Sequence, residues 1–164
     1  MRLRRPRLEN LGAPEVQVLL LACGAKQAVD LGSPRYQGWP HTPLCLLCKS
    51  HDETARHILV ECRFSRRIWQ AAASWLSCPS LVNDLGHGRP TVLAYWQALA
   101  KTATAHHKGL KSAIILITWE VWKERNALVF NNKFSMLAVL FKKIKDEGKN
   151  WILAGAKHLG EIVS

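Results

Sequence analysis

Three cysteines and one histidine between residues 45 and 62 form the densest group of metal-ligand residue types in this sequence. Their spacing is C-x2-C-x8-H-x4-C, made by Cys45, Cys48, His57 and Cys62. Two cysteines on a tight turn can place both sulfurs on one Zn²⁺, and a second pair from a following segment completes a tetrahedron. Because three thiolates and one imidazole fill all four positions, the pattern predicts one structural zinc rather than a catalytic one.

Two alternatives accompany this prediction. The cysteines could instead be small buried apolar residues, with His57 exposed on a helix. His51 could replace His57 as a ligand, although it lies only three residues after Cys48. Cys23 and Cys78 are expected to be plain thiols. The total of five cysteines is odd, which argues against a disulfide framework.

The residues between the two ligand pairs predict a short helix that carries the histidine. Ser50 precedes Glu53 by three residues, which is the spacing of a capping box. A helix is therefore expected from about Asp52 to about Glu61. Cys62 should then lie at the break before the next helix, because a residue five positions beyond the histidine is offset on an ideal α-helix.

Apolar periodicity predicts the longer elements that surround the metal pattern. Phe64–Leu76 reads as a helix that follows the last cysteine. Thr91–Ala105, Lys108–Phe130 and Ser135–Leu159 read as three more, the second of them deeply packed because it is apolar nearly all round. Gly148 lies inside the last helix and should cost about 1 kcal/mol relative to alanine.

These elements predict a mainly α protein with a small CCHC zinc knuckle, a four-helix-like arrangement and a loose N-terminal arm. Residues 1–43 are expected to be a poorly structured basic arm. Residues 44–78 would form the zinc-binding module with its following helix. Residues 79–90 would be a linker, and residues 91–164 a helical region.

The formal net charge of +11 comes from 23 Lys and Arg against 12 Asp and Glu, and it is spread along the chain. Such a balance favours polyanionic partners, nucleic acid before anionic membrane. The candidate contacts are basic residues near the metal pattern and on the last helix: Lys49, Arg56, Arg63, Arg66, Arg67, Lys142, Lys143 and Lys145. The last three could equally form a solvated helix face, since Lys142 can pair with Asp146 along the helix.

Other function classes find little support. The sequence contains no Gly-rich phosphate loop, no G-x-S-x-G and no Tyr-x-Asp-Asp, so neither an enzyme nor a small-molecule substrate is expected. The longest apolar run in the second half, Ala113–Val121, is too short for a membrane span. Glu9, Glu15 and Gln17 interrupt a signal-like N-terminus, so we expect the nucleus or cytoplasm rather than secretion.

The combined motifs CLLC, ETxxHILxxC and FxRxxW, from Cys45 to Trp69, resemble the zinc-binding domain C-terminal to the reverse transcriptase in plant non-LTR (LINE-type) retrotransposons. Trp119–Phe130 and Ile144–Leu159 resemble the tails of the same polyproteins. The resemblance covers about Leu44 to Leu159.

This resemblance implies a retroelement fragment that lacks the polymerase and binds template RNA or target DNA. A structural or protein-interaction domain stapled by zinc is the alternative, with Ile114–Trp122 as a candidate partner face. A relic without selected activity is a third. The sequence leaves open the type of nucleic acid, any sequence preference and the oligomeric state.

Overall fold

The protein is described here by a computed structural model over residues 44–54, 56–83 and 106–163. These residues form helices and turns, and the one extended pairing among them is an isolated bridge between Leu44 and Asp52. The elements in chain order are a π-helical turn π1 (His57–Glu61) and helices α1 (Arg63–Trp75), α2 (Ser80–Asn83), α3 (His107–Asn131), α4 (Leu137–Leu153) and α5 (Lys157–Gly160). The prediction of a mainly α fold is confirmed.

Helix α3 lies at the centre of the described fold, in contact with α4, α5, α1 and π1. Its residues Ile114–Ile117 are all buried in succession, which requires neighbours on every side of the helix. The predicted deep packing is therefore confirmed. Most of Ile114–Trp122 is covered by the chain's own helices, so this helix does not offer the open partner face considered from the sequence. Asn132 ends the helix in the left-handed conformation.

Helices α1 and α4 run in the same direction. At one end the Phe64 ring contacts Phe134, just before α4, and at the other end Trp75 contacts Phe141 edge to face. Gly148 makes this packing close, since a Cβ there would lie 3.3 Å from side chains of both α1 and α3. Glycine is a poor helix former, but at this position its missing side chain allows α1, α3 and α4 to pack closely.

The predicted last helix, Ser135–Leu159, is wrong at its C-terminal end. α4 ends at Leu153, and Gly155 takes a positive φ of 115° that no continuous helix could contain. The chain turns back, so that the backbone of α5 lies against Gly109 in the first turn of α3. Leu159, which lies in α5 after this reversal, is completely buried.

Several predicted elements lie outside the described residues, namely the N-terminal arm, the helix at Thr91–Ala105 and residues 84–90 of the linker. Within the linker, Ser80–Asn83 form the single turn α2, which packs on α1. In the described ranges, none of the helices combines the length and apolar character needed to cross a bilayer.

Candidate metal centre

The four predicted ligands lie together. The sulfurs of Cys45, Cys48 and Cys62 and a ring nitrogen of His57 all lie within 4.8 Å of one another, and all four side chains are buried. Cys45 Sγ is 3.9 Å from Cys62 Sγ, and Cys48 Sγ is 3.2 Å from His57 Nε2. A zinc tetrahedron with bonds of about 2.0–2.3 Å has edges of roughly 3.3–3.8 Å. The donors therefore fit one structural zinc site, as predicted.

The first ligand pair lies on a tight turn closed by backbone hydrogen bonds. The N–H of Lys49 donates to the carbonyl of Cys45 at 2.6 Å, and the N–H of Cys45 donates to the carbonyl of His51 at 2.7 Å. Lys49 takes a left-handed φ of 54°, which folds the chain back on itself. The His51 ring stacks on His57 with centroids 5.2 Å apart, but it lies outside the four-donor group.

The π-helical turn explains the x4 spacing of the second ligand pair. On an α-helix, residues five apart point about 140° away from each other. In π1 the N–H of Cys62 donates to the carbonyl of His57 at 2.6 Å, a hydrogen bond that spans five residues. Both side chains can therefore face one metal. The predicted end at Glu61, with Cys62 at the break before α1, is confirmed.

The predicted start of this helix is wrong, because the two residues of the expected capping box have other partners. The Ser50 hydroxyl donates to the carbonyl of Cys48 at 2.8 Å. The Glu53 carboxylate accepts hydrogen bonds from Arg125 on α3. The Thr54 hydroxyl instead accepts the backbone N–H of His57 at 3.0 Å, which supplies the capping interaction.

Two side chains of α1 hold the backbone of π1. Trp69 Nε1 donates to the carbonyl of Leu59 at 2.8 Å, and the Ser65 hydroxyl donates to the carbonyl of Ile58. Both donors are fully buried. A buried carbonyl without a donor is costly, so these contacts stabilise a turn that an isolated segment would not maintain. The helical periodicity of the sequence predicted Trp69 only as a core residue. It did not indicate this hydrogen bond.

A largely buried ion pair joins the loop between the two ligand pairs to α3. Arg125 Nε donates to Glu53 Oε1 at 3.1 Å and Nη2 donates to the same oxygen, while the guanidinium lies 5.4 Å from the Trp122 ring centroid. The two side chains are 12% and 10% exposed. Glu53 lies in the ETxxHILxxC motif and Arg125 lies in Trp119–Phe130. Because they are 72 positions apart, no local sequence pattern predicts that their side chains pair.

The paired sulfurs differ in acidity. A hydrogen bond from the Cys45 thiol lowers the pKa of Cys62 to about 5, against the opposing effect of burial, and the N–H groups of Phe64 and Ser65 lower that pKa further. Donating that same hydrogen bond raises the pKa of Cys45, and burial adds to the rise. Because zinc binds thiolates, metal binding must release the proton that the two sulfurs share.

The basic residues near the metal centre fall into two groups. Lys49, Arg66 and Arg67 are exposed, and none of them pairs with an acidic side chain in the part of the chain that the structure describes. Arg56 pairs with Glu61 at 2.7 Å. Arg63 donates to the carbonyl of Cys48 at 3.2 Å, so it supports the knuckle as well as adding charge.

The basic residues of α4 are more engaged. Lys142 pairs with Asp146 at 2.7 Å, as the spacing predicted, and its hydrogen bond lowers the pKa of that carboxyl. Lys143 donates to the Ser135 hydroxyl at 2.9 Å. Lys145 lies 5.6 Å from the centroid of the Phe141 ring. Contact of either cluster with nucleic acid stays a prediction.

Comparison with known families supports the metal assignment. Residues 21–69 match a family described as zinc-binding in reverse transcriptase, and the matched stretch contains all four clustered residues and ends at Trp69. The resemblance to that zinc-binding domain is thus confirmed for this stretch. The match begins at residue 21, whereas the resemblance predicted from the sequence motifs begins at about Leu44. Searches of the curated proteins and of the solved structures found no significant match.

Proposed function

We propose that this chain is a zinc-binding, retroelement-derived domain that acts as an accessory nucleic-acid-binding module without polymerase activity. The observation that carries the proposal is the group of unpaired, exposed cations beside the metal centre. Lys49 lies on the first ligand turn, and Arg66 and Arg67 lie on the helix that begins directly after Cys62. The buried zinc site fixes the backbone from which these side chains project.

The charge distribution favours a phosphate backbone as the partner. Helix α1 carries Arg63, Arg66 and Arg67 and no acidic residue. Arginine and lysine bind phosphates through charge-assisted hydrogen bonds, and the release of condensed counterions drives the association. A small-molecule substrate would need a concave pocket, whereas an extended polyanion can bind along a convex helix face.

The setting of the module follows from the resemblance to plant LINE-type elements. In such a setting the partner would be template RNA or target DNA, and the reverse transcriptase would supply the chemistry. The proposal places the protein in the nucleus or cytoplasm, where thiols stay reduced and remain available to zinc. A zinc-stapled protein-interaction domain and a relic are the competing interpretations.

The test is the salt dependence of nucleic-acid binding by the zinc-loaded full chain. We expect fluorescence anisotropy to show binding to labelled RNA and DNA that weakens steeply with salt. The double variant Arg66→Gln/Arg67→Gln should reduce the slope of log K against log salt by about 2, since each phosphate contact contributes about 0.9. Lys142→Gln is the matched control, because its ammonium already pairs with Asp146.

Absence of salt-dependent binding by a folded, zinc-loaded chain would overturn the proposal. It would leave the protein-interaction domain or the relic. Binding that depends on salt but weakens as much per charge removed in Lys142→Gln as in the double variant would contradict the assignment to α1, because it would mean that net charge alone sets the affinity.

A further inference from the structure

The turn between α3 and α4 presents large apolar side chains to solvent. Phe134 is 54% exposed and Met136 is 74% exposed, although the Phe134 ring contacts the buried ring of Phe64. Soluble proteins expose single apolar residues routinely, but an aromatic ring and a methionine in one short turn form a local patch. We call residues 132–136 the α3–α4 turn.

Phe134 is seated on a buried ring rather than projecting freely. Its ring centroid lies 5.5 Å from that of Phe64, at an interplanar angle of 54°, and Phe64 itself is only 8% exposed. One part of the Phe134 ring therefore rests on the core while the remainder faces solvent. An aromatic ring held in this way offers a fixed surface for a second planar group.

The backbone of the α3–α4 turn is also fixed. The N–H of Lys133 donates to the carbonyl of Ala127 at 3.1 Å, and the N–H of Ser135 donates to the carboxylate of Glu124, which is 4% exposed. Asn132 takes a left-handed φ of 49°, which sets the direction of the turn. Because the turn is ordered before any partner arrives, binding there costs little conformational entropy.

The charge around this turn is positive. Lys133 precedes the ring and is exposed, and Arg67 lies one helical turn beyond Phe64 on α1. Lys143 donates to the Ser135 hydroxyl at 2.9 Å and lies 4.0 Å from the buried Glu124 carboxylate, so its charge is partly compensated. The sequence contains no acidic residue from 62 to 83 or from 126 to 145.

An exposed aromatic ring with cations around it fits one partner chemistry, because Glu124, the acidic residue bound to this turn, is buried and does not face solvent. Phosphates are attracted to the lysine and arginine side chains, and an unpaired base can stack on the phenyl ring. A duplex would keep its bases stacked on one another and could use only the cations. A protein partner with an apolar face would have to bury the charges of Lys133 and Arg67 without compensation.

We propose that Phe134, with Met136 beside it, is a stacking platform for an unpaired base of a single-stranded nucleic acid, and that Lys133 and Arg67 contact the neighbouring phosphates. This inference rests on the proposed nucleic-acid function and adds to it a strand preference and a named contact. RNA and DNA share the chemistry of this contact, so labelled oligouridine and oligothymidine distinguish the two sources.

The test compares zinc-loaded full-length variants by anisotropy with oligonucleotides of about 12 residues, a length within the range that single-strand modules cover. Phe134→Ala should weaken single-strand binding about 10-fold, as expected for one lost base stack, and should leave duplex binding unchanged. Phe134→Tyr keeps the aromatic face and should bind as the wild type does. Leu153→Ala, at an exposed leucine on the far end of α4, is the matched apolar control.

A second measurement needs no variant and decides the matter if Phe134→Ala fails to fold. An abasic oligonucleotide with the same number of phosphates should bind the wild-type chain about 10-fold more weakly than oligothymidine. Equal binding of the abasic and normal strands, or of Phe134→Ala and wild type to a single strand, would overturn the platform while leaving salt-dependent binding intact. Failure of the wild type to bind any strand would instead overturn the proposed function.

Discussion

The zinc module (residues 44–76) and the helical region around α3 are held together by different means. One apolar core runs through both regions, and around α3 it consists of many aliphatic side chains, whose small contacts are largely interchangeable. Apart from the 13-residue helix α1, the elements of the zinc module are short, and π1 has five residues. Its shape depends on a few specific groups: the four metal ligands, two side-chain hydrogen bonds from α1 and one largely buried ion pair.

This contrast indicates that the two regions should respond differently to single changes. A region that depends on apolar area loses stability in proportion to the atoms removed. A region that depends on a few polar groups loses its shape when one of them is removed, because the partner is left buried and unsatisfied. The Glu53–Arg125 pair is the polar link between the two regions, so it should transmit damage from one to the other.

The largest effect is expected from removing a zinc ligand. Wild-type protein should contain one zinc per chain, and Cys48→Ser should lose it, because the remaining three donors cannot close the tetrahedron. Structural zinc contributes about 10–16 kcal/mol of binding free energy in small domains, which is comparable to or larger than a typical domain stability of about 5–15 kcal/mol. Elemental analysis and thermal melting with and without chelator measure both effects.

Cys78→Ser is the control for that experiment. Cys78 lies outside the four-donor group, and its sulfur interacts with the Ser80 hydroxyl at 3.1 Å. It should keep one zinc and nearly the full melting temperature. If cooperatively folded wild-type protein contains well under one zinc, the structural metal site is refuted, and the three cysteines would then be buried apolar residues.

The next largest effect is expected from breaking the ion pair. Arg125→Met leaves the Glu53 carboxylate buried without a partner, so we expect a loss of about 3–5 kcal/mol in the free energy of unfolding. The double variant Glu53→Gln/Arg125→Met removes the charge and should recover part of that loss. Urea unfolding of the two variants measures the difference. Equal stability of the single and double variants would show that an unpaired Glu53 carboxylate costs nothing at this position.

The sequence predicted the helical region and the metal ligands better than it predicted the backbone that positions them. Phe64–Leu76 and Lys108–Phe130 were predicted within one residue of α1 and α3 at each end, because an apolar stripe reports the helix period directly. The last helix was predicted too long for the same reason. Leu159 continues the apolar stripe of α4, so the periodicity predicts a helix that reaches it. The periodicity does not show that the chain reverses at Gly155 and that Leu159 is buried only after this reversal.

In the zinc module the spacing identified the donors but not the π-helical turn that brings the second pair together. The expected capping box was wrong because Glu53 is engaged by an arginine 72 positions away, and no local pattern encodes that contact. The same holds for Trp69, which reads as an ordinary core residue until its ring nitrogen is seen to donate to π1. Local sequence encodes period and ligand type, whereas these contacts depend on the tertiary fold.

The smallest of the three effects gives the most direct comparison of the regions, because the same substitution can be made in each. Trp69→Phe removes the hydrogen bond to the carbonyl of Leu59 in π1, and Trp151→Phe removes one from Nε1 to the Glu147 carboxylate on α4 at 3.1 Å. The Leu59 carbonyl would be left buried, so we expect Trp69→Phe to cost about 1–3 kcal/mol. The Glu147 side chain is partly exposed, so Trp151→Phe should cost about 1 kcal/mol or less.

The decisive readout is zinc affinity, measured by competition with a chromophoric chelator. Because Trp69 supports the turn that places His57 and Cys62 on the metal, Trp69→Phe should weaken zinc binding several-fold, and Trp151→Phe should leave it unchanged. Loss of stability in Trp69→Phe with wild-type zinc affinity would mean that Trp69 only fills the core. Equal weakening by both variants would mean that zinc binding follows global stability and that the two regions form one cooperative unit.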